Sequence, residues 1–149
     1  MISKKEKGLT LIELLIVIGI LAILMTGIIV AVNPGRQFSQ ARDTQRLSNL
    51  EAILSAINQN MVDNRGSFAC ASGVVPTAST TMSSSLGDYD ICSCLVSTYL
   101  SSLPSDPSTG SFTDCTAYDT QYEISRNAAN GRITIFAPDA ELGPISVSR

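Results

Sequence analysis

From residue 14 to residue 32 the sequence holds no charged side chain, and nearly every position is Leu, Ile, Val, Ala or Met. As a helix rising about 1.5 Å per residue, that run reaches roughly 28 Å. The hydrocarbon core of a bilayer is about 30 Å thick, so a single helix of this run can cross it. Just ahead of the run stands one carboxylate, Glu13, and ahead of that a short basic stretch with Lys4, Lys5 and Lys7. An ionisable group in or beside a membrane segment is costly to keep there, and its default reading is functional. The bland alternative is a glutamate at a helix start, snorkelling to the interface and favoured by the helix dipole.

Charge and cysteine usage constrain the chain beyond the span. All the lysines fall in the first eight residues, and every later basic residue is an arginine. The net charge is −3, and removing the lysine-bearing leader leaves a still more acidic remainder. That balance argues against a general nucleic-acid-binding surface. Cys70, Cys92, Cys94 and Cys115 all lie beyond the apolar run. An even count in a small Ser/Thr/Gly-rich domain points to disulfides formed in an oxidising compartment. Cys92 and Cys94 are too close in sequence to pair comfortably, so each is expected to pair outward, to Cys70 or Cys115. The sequence has no histidine and no pair of C-x2-C spacings, which leaves a zinc site without support.

Basic residues flank the span on both sides, Lys4, Lys5 and Lys7 before it and Arg36, Arg42 and Arg46 after it. The positive-inside count is nearly balanced, and the cysteines break the tie towards N-terminus in, C-terminus out. A cleaved secretory signal would need small residues at the end of the run, and Val30-Ala31-Val32-Asn33 fits that poorly.

The junction Lys7-Gly8-Leu9-Thr10-Leu11-Ile12-Glu13 resembles the cleavage and methylation motif of type IV pilins and type II secretion pseudopilins. The resemblance combines a basic leader, a glycine, a glutamate at a fixed offset and a long apolar helix. It implies cleavage between Gly8 and Leu9 by a prepilin peptidase, which also methylates the new Leu9 amine. Glycine suits a scissile position, because a missing side chain lets another backbone approach closely. The resemblance also implies that Glu13 pairs with the terminal amine of a neighbouring subunit during assembly. Its other implied partners are further subunits of a homopolymer, the inner-membrane assembly machinery and membrane lipid.

Beyond the run, Asn33-Pro34-Gly35 breaks the helical pattern, since Pro34 lacks an N–H and disfavours the α conformation before it. Pro34 is expected either to kink a long helix or to mark the membrane exit. Leu47, Leu50, Leu54, Ile57 and Met61 then recur at helical spacing, widened by Ile53 and Ala56. Arg42, Asp43, Arg46, Asn49, Glu51 and Asn58 are assigned to the opposite face. Residues 63–90 read as a polar connection rich in Ser, Thr and Gly. Ile91, Leu95, Tyr99 and Leu103 suggest a short helix ended by Pro104. Leu103-Pro104-Ser105-Asp106-Pro107 resembles a turn of pseudopilins and related pilins. Residues 118–126 and 132–137 read as strands around an Asn130-Gly131 turn, with residues 145–147 as a third.

Catalytic chemistry finds little here. Without histidine there is no histidine-based triad or proton shuttle, and no phosphate-binding glycine motif occurs. No enzyme activity and no cofactor are expected. The exception to weigh is calcium, for which Asp106, Asp114 and Asp119 are candidates by resemblance to some pseudopilins. Their alternative reading is as turn and solvent-facing acids.

The sequence therefore predicts a pilin-like α+β fold: a long N-terminal helix, half membrane and half amphipathic, packed on an antiparallel sheet of about three strands. The expected segments are a leader at 1–8, a membrane or filament-core helix at 9–33, an amphipathic continuation at 34–62 and a disulfide-stapled head at 63–149. The expected function is that of a prepilin, a structural subunit of a type IV pilus-like filament. A pseudopilin of a secretion or competence apparatus, or an anchored domain that never polymerises, are the alternatives. The expected location is the cytoplasmic membrane, then an extracellular or periplasmic filament.

Overall fold

The computed structural model describes residues 8–149, so the leader lysines lie outside the described residues. The chain divides into two compact units, Met1–Phe38 and Ser39–Arg149.

The first unit is dominated by helix α1, Leu11–Val32. Over Leu11–Ile28 its mean hydropathy is 2.7, and none of that stretch is buried within the chain. A helix that is apolar all round belongs in a core or a membrane. Here the chain itself supplies no cover. α1 ends at Asn33, whose backbone is left-handed (φ 45°, ψ 80°). Asparagine tolerates that conformation better than most residues. Helix α2, Pro34–Asp63, begins immediately after it. The expected single helix is thus two, with Pro34 as the opening residue of the second. A first helical position suits proline, because its missing N–H would have had no partner there.

The second unit is an α+β domain built on the remainder of α2. Strand β1 is Thr80–Ser83 and the short helix α3 is Cys92–Leu95. Strands β2 (Ser111–Asp114), β3 (Ala117–Arg126), β4 (Ile133–Ala137) and β5 (Ile145–Ser148) come next in the chain. All pairings are antiparallel, in the order β1-β3-β4-β5, with β2 also paired to β3. Five strands replace the expected three. The two unforeseen ones, β1 and β2, are short, and β1 lies inside the Ser/Thr-rich connection. The foreseen β3–β4 hairpin turns through Asn127 to Gly131, with Gly131 at φ 72°.

Alternation along β3 buries Tyr118, Thr120, Tyr122 and Ile124, and β4 adds Ile133, Ile135 and Ala137. Leu50, Ile53, Leu54, Ala56 and Ile57 of α2 supply the helical side of this core. β3 bulges opposite β1 between Thr81 and Ser83. Within that bulge Gln121 has φ 58°, and Thr120 Oγ1 donates to the Met82 carbonyl at 2.8 Å. The helix expected to run to Leu103 stops at Leu95. Val96 is extended and Ser97 has φ 71°.

Two disulfides staple this unit, Cys70–Cys94 and Cys92–Cys115. Cys92 and Cys94 each pair outward. They tie the one turn of α3 both to the polar connection and to the segment after β2.

Candidate functional site: the amino-terminal junction and its apolar helix

Gly8, Leu9 and Thr10 precede the helix in non-helical conformation, and Leu9 is 73% exposed. Nothing lies within 4 Å of where a Gly8 Cβ would stand. Among the described residues, no contact therefore calls for glycine at position 8. Its small size is free to serve the approach of another molecule.

Thr10 is the N-cap of α1, with extended backbone (φ −80°, ψ 153°). Its Oγ1 accepts from the Glu13 N–H at 3.3 Å, and Glu13 Oε2 accepts from the Thr10 N–H at 3.5 Å. This reciprocal capping box satisfies donors that a helix start otherwise leaves without partners. Sequence reasoning about Glu13 missed this arrangement, although the Thr-x-x-Glu spacing is its signature. The consequence is chemical. One carboxylate oxygen is held at the Thr10 N–H, one residue past Leu9, while Glu13 remains exposed to a partner from outside.

Gly19 and Gly27 likewise have no neighbour within 4 Å of an added Cβ. Small residues on an uncovered apolar helix are the usual means by which another helix approaches closely.

The aspartates considered for calcium are not brought together. Asp106 is buried and forms a two-pronged ion pair with Arg46, whose Nε donates to Oδ2 at 2.6 Å and Nη2 to Oδ1 at 3.1 Å. Its Oδ1 also accepts from the Ser108 and Thr109 N–H groups. Asp114 instead accepts from Thr116, and Asp119 from Gln121. Among the described residues, no three Asp, Glu, Cys or His side chains are grouped as metal ligands.

Arg46 is the larger correction. Placed on the solvent face by pattern, it is 1% exposed. Its Nη1 donates to Asp43 at 2.8 Å and to Glu141 at 3.2 Å, and its Nη2 to Ser108 at 2.8 Å. Asp43 is buried as well, accepting the backbone N–H groups of Glu141 and Leu142. Asn49 is half-buried, donating to the Ser105 carbonyl and to the Tyr122 hydroxyl. Burial works to raise the Asp106 carboxyl, but the Arg46 and Ser108 hydrogen bonds outweigh it and hold the group well below the usual range. Asp43 is held low in the same way, with the Glu141 and Leu142 N–H groups and Arg46 overcoming desolvation. The cluster clamps the 105–109 loop and the 139–142 loop to α2. Its chemistry is structural, since every polar arm of Arg46 is already taken.

Residues 3–29 match the model described as the prokaryotic N-terminal methylation motif. The chain carries a prepilin-type amino terminus. The match covers the junction and most of α1, and stops short of the second unit. That motif is the cleavage and methylation motif of type IV pilin and pseudopilin precursors. No curated protein and no solved structure matches the chain.

Proposed function

We propose that the chain is the precursor of a structural subunit of a type IV pilus-like filament. Cleavage between Gly8 and Leu9 removes the lysine-bearing leader, and the freed Leu9 amine is methylated. The subunit waits in the cytoplasmic membrane with its N-terminus inside and its disulfide-bonded domain outside. It then moves from lipid into a bundle of identical helices. Assembly machinery in the membrane performs that extraction.

The observation that carries this reading is α1, apolar on every side and uncovered by its own chain over Leu11–Ile28, within the methylation motif and directly behind the Gly8–Leu9 junction. Lipid can cover such a helix, and so can a bundle of its copies. Glu13 gives the bundle a register. In a medium of low dielectric constant an unpaired carboxylate is strongly unfavourable, so a neighbour's terminal amine is drawn to it. The capping box holds the carboxylate in place until that amine arrives.

The test is Glu13→Ala in the native host. Processing is expected to continue, because Gly8 and Leu9 are untouched, while the filament fraction is lost and processed chain accumulates in the membrane. Abundant filaments from this variant would remove the pairing role. A wild-type chain that is processed but never sedimented as filaments would instead leave a membrane-anchored domain.

A further inference from the structure

We propose that the turn carrying Leu86 is a knob that docks into an apolar cavity on the second unit of a neighbouring copy. The inference rests on the filament reading above and names one contact that such a filament would make between its outer domains.

Leu86 is 106% exposed, more than any other large apolar residue of this unit. A single exposed leucine is ordinary. What sets this one apart is how firmly it is presented. The Asp88 N–H donates to the Ser85 carbonyl at 3.2 Å, closing a β-turn with Leu86 and Gly87 at its centre. Gly87 has φ 99°, which a side chain at that turn position would strain. Buried Ser83 braces the turn, its Oγ accepting from the Ser85 N–H at 2.9 Å and donating to Asp88 Oδ2 at 2.6 Å. Tyr89 N–H then anchors the loop to the Thr81 carbonyl of β1. Holding the turn in advance lowers the ordering cost of docking it.

The same unit bears a matching cavity. Met61, Phe68, Val74, Val75 and Ile133 line it together with Arg126, and its volume is about 180 Å³. Small-molecule sites usually span about 300–1,000 Å³. This one suits a single aliphatic side chain better than a metabolite.

Charge selects the occupant. Arg126 lines the cavity, while Arg65 and Arg132 adjoin its lining residues Gly66, Gly131 and Ile133 in the chain. Among the described residues, ion pairs engage Arg42 and Arg46, and none engages Arg65, Arg126 or Arg132. Two residues beyond Leu86 stands exposed Asp88. An apolar tip with an acid beside it thus meets an apolar cavity with arginines around it. The knob and the cavity are different patches of the same surface. A contact between them is heterologous, the kind that propagates into open helical arrays instead of closing into a dimer.

The experiment places a photo-crosslinking amino acid at position 86 of the full-length chain in the native host, with a second strain carrying it at Ile20 of α1. The expected result is a covalent dimer from position 86. Its crosslinked peptide should map to residues 61–75 or 126–133 of the other copy. Arg126→Glu should reduce that dimer at least several-fold. Dimers from position 20 with none from position 86, or position 86 adducts mapping elsewhere, would overturn the docking while leaving the filament intact. Dimers from neither position would overturn the filament reading and the docking together.

Discussion

Helix α1 and the domain behind it solve opposite problems with the same kinds of residue. In the domain, leucines and isoleucines of α2 disappear against β3 and β4, and even an arginine is buried with its charge answered. In α1 a still more apolar sequence stays open over Leu11–Ile28. The domain carries its own solvent exclusion. The helix has to find its cover outside the chain. The methylation motif sits on the region that is incomplete alone, and the disulfides on the region that is complete.

The most drastic way to sharpen this contrast is to cut between the two units. A chain beginning at Ser39 is expected to be soluble without detergent, monomeric and cooperatively folded. The full chain should need detergent or membrane. Aggregation or non-cooperative melting of the shortened chain would show that the domain depends on the first helix after all.

The next largest effect concerns the buried ion cluster. Arg46→Ala leaves Asp106 buried without its cation, and breaking such a pair costs about 3–5 kcal/mol. Chemical denaturation of the shortened chain measures it. The pH dependence gives an independent check. Asp106 and Asp43 have folded pKa values depressed below their unfolded ones. Their contribution is therefore present above the unfolded carboxylate value of about 4 and is lost as pH falls through the folded values. The domain should hold its melting temperature down to about pH 5 and lose it below about pH 4. Arg46→Ala removes the cation that holds Asp106 low, so the fall in melting temperature on acidification should be shallower than in the parent domain. An unchanged acid profile would mean the cluster adds nothing.

A smaller effect is expected at Gly110. A Cβ there would meet the Asp106 backbone nitrogen and come within 2.9 Å of the Thr120 carbonyl oxygen, both parts of rigid backbone. Gly110→Ala should cost about 1–3 kcal/mol through overpacking. The same change at Gly8, which belongs to the other unit, should leave the stability of the domain untouched.

How much of the molecule is legible in its sequence divides along the same line. α1, the junction and the β3–β4 hairpin are written in local signals: an apolar run, a motif of fixed spacing, an alternation and an Asn-Gly turn. The outward pairing of Cys92 and Cys94 is legible from chain geometry, although which of them meets Cys70 is not. The seam of α2 is misread when periodicity is traced through apolar residues alone. The buried line actually runs Asp43, Arg46, Leu50, Ile53, Ile57 and Asn60, the same three-and-four spacing with polar ends. Leu47, which the apolar spacing puts in the stripe, is exposed. Only the distant loop that delivers Asp106 makes Arg46 an interior residue, and no local pattern encodes it. β1 and β2 escape sequence reading for a related reason. Each is a four-residue segment made a strand by β3 beside it, not by its own sequence.

Cleavage at the junction and polymerisation through the exposed helix together leave a signature in the mass of the assembled chain. Intact-mass and N-terminal analysis of the chain recovered from sheared, sedimented surface filaments tests it most directly. Such filaments should contain a chain that begins at Leu9 and carries the added mass of one methyl group. A chain still beginning at Met1, or a processed chain confined to the membrane with no sedimentable filament, would contradict it.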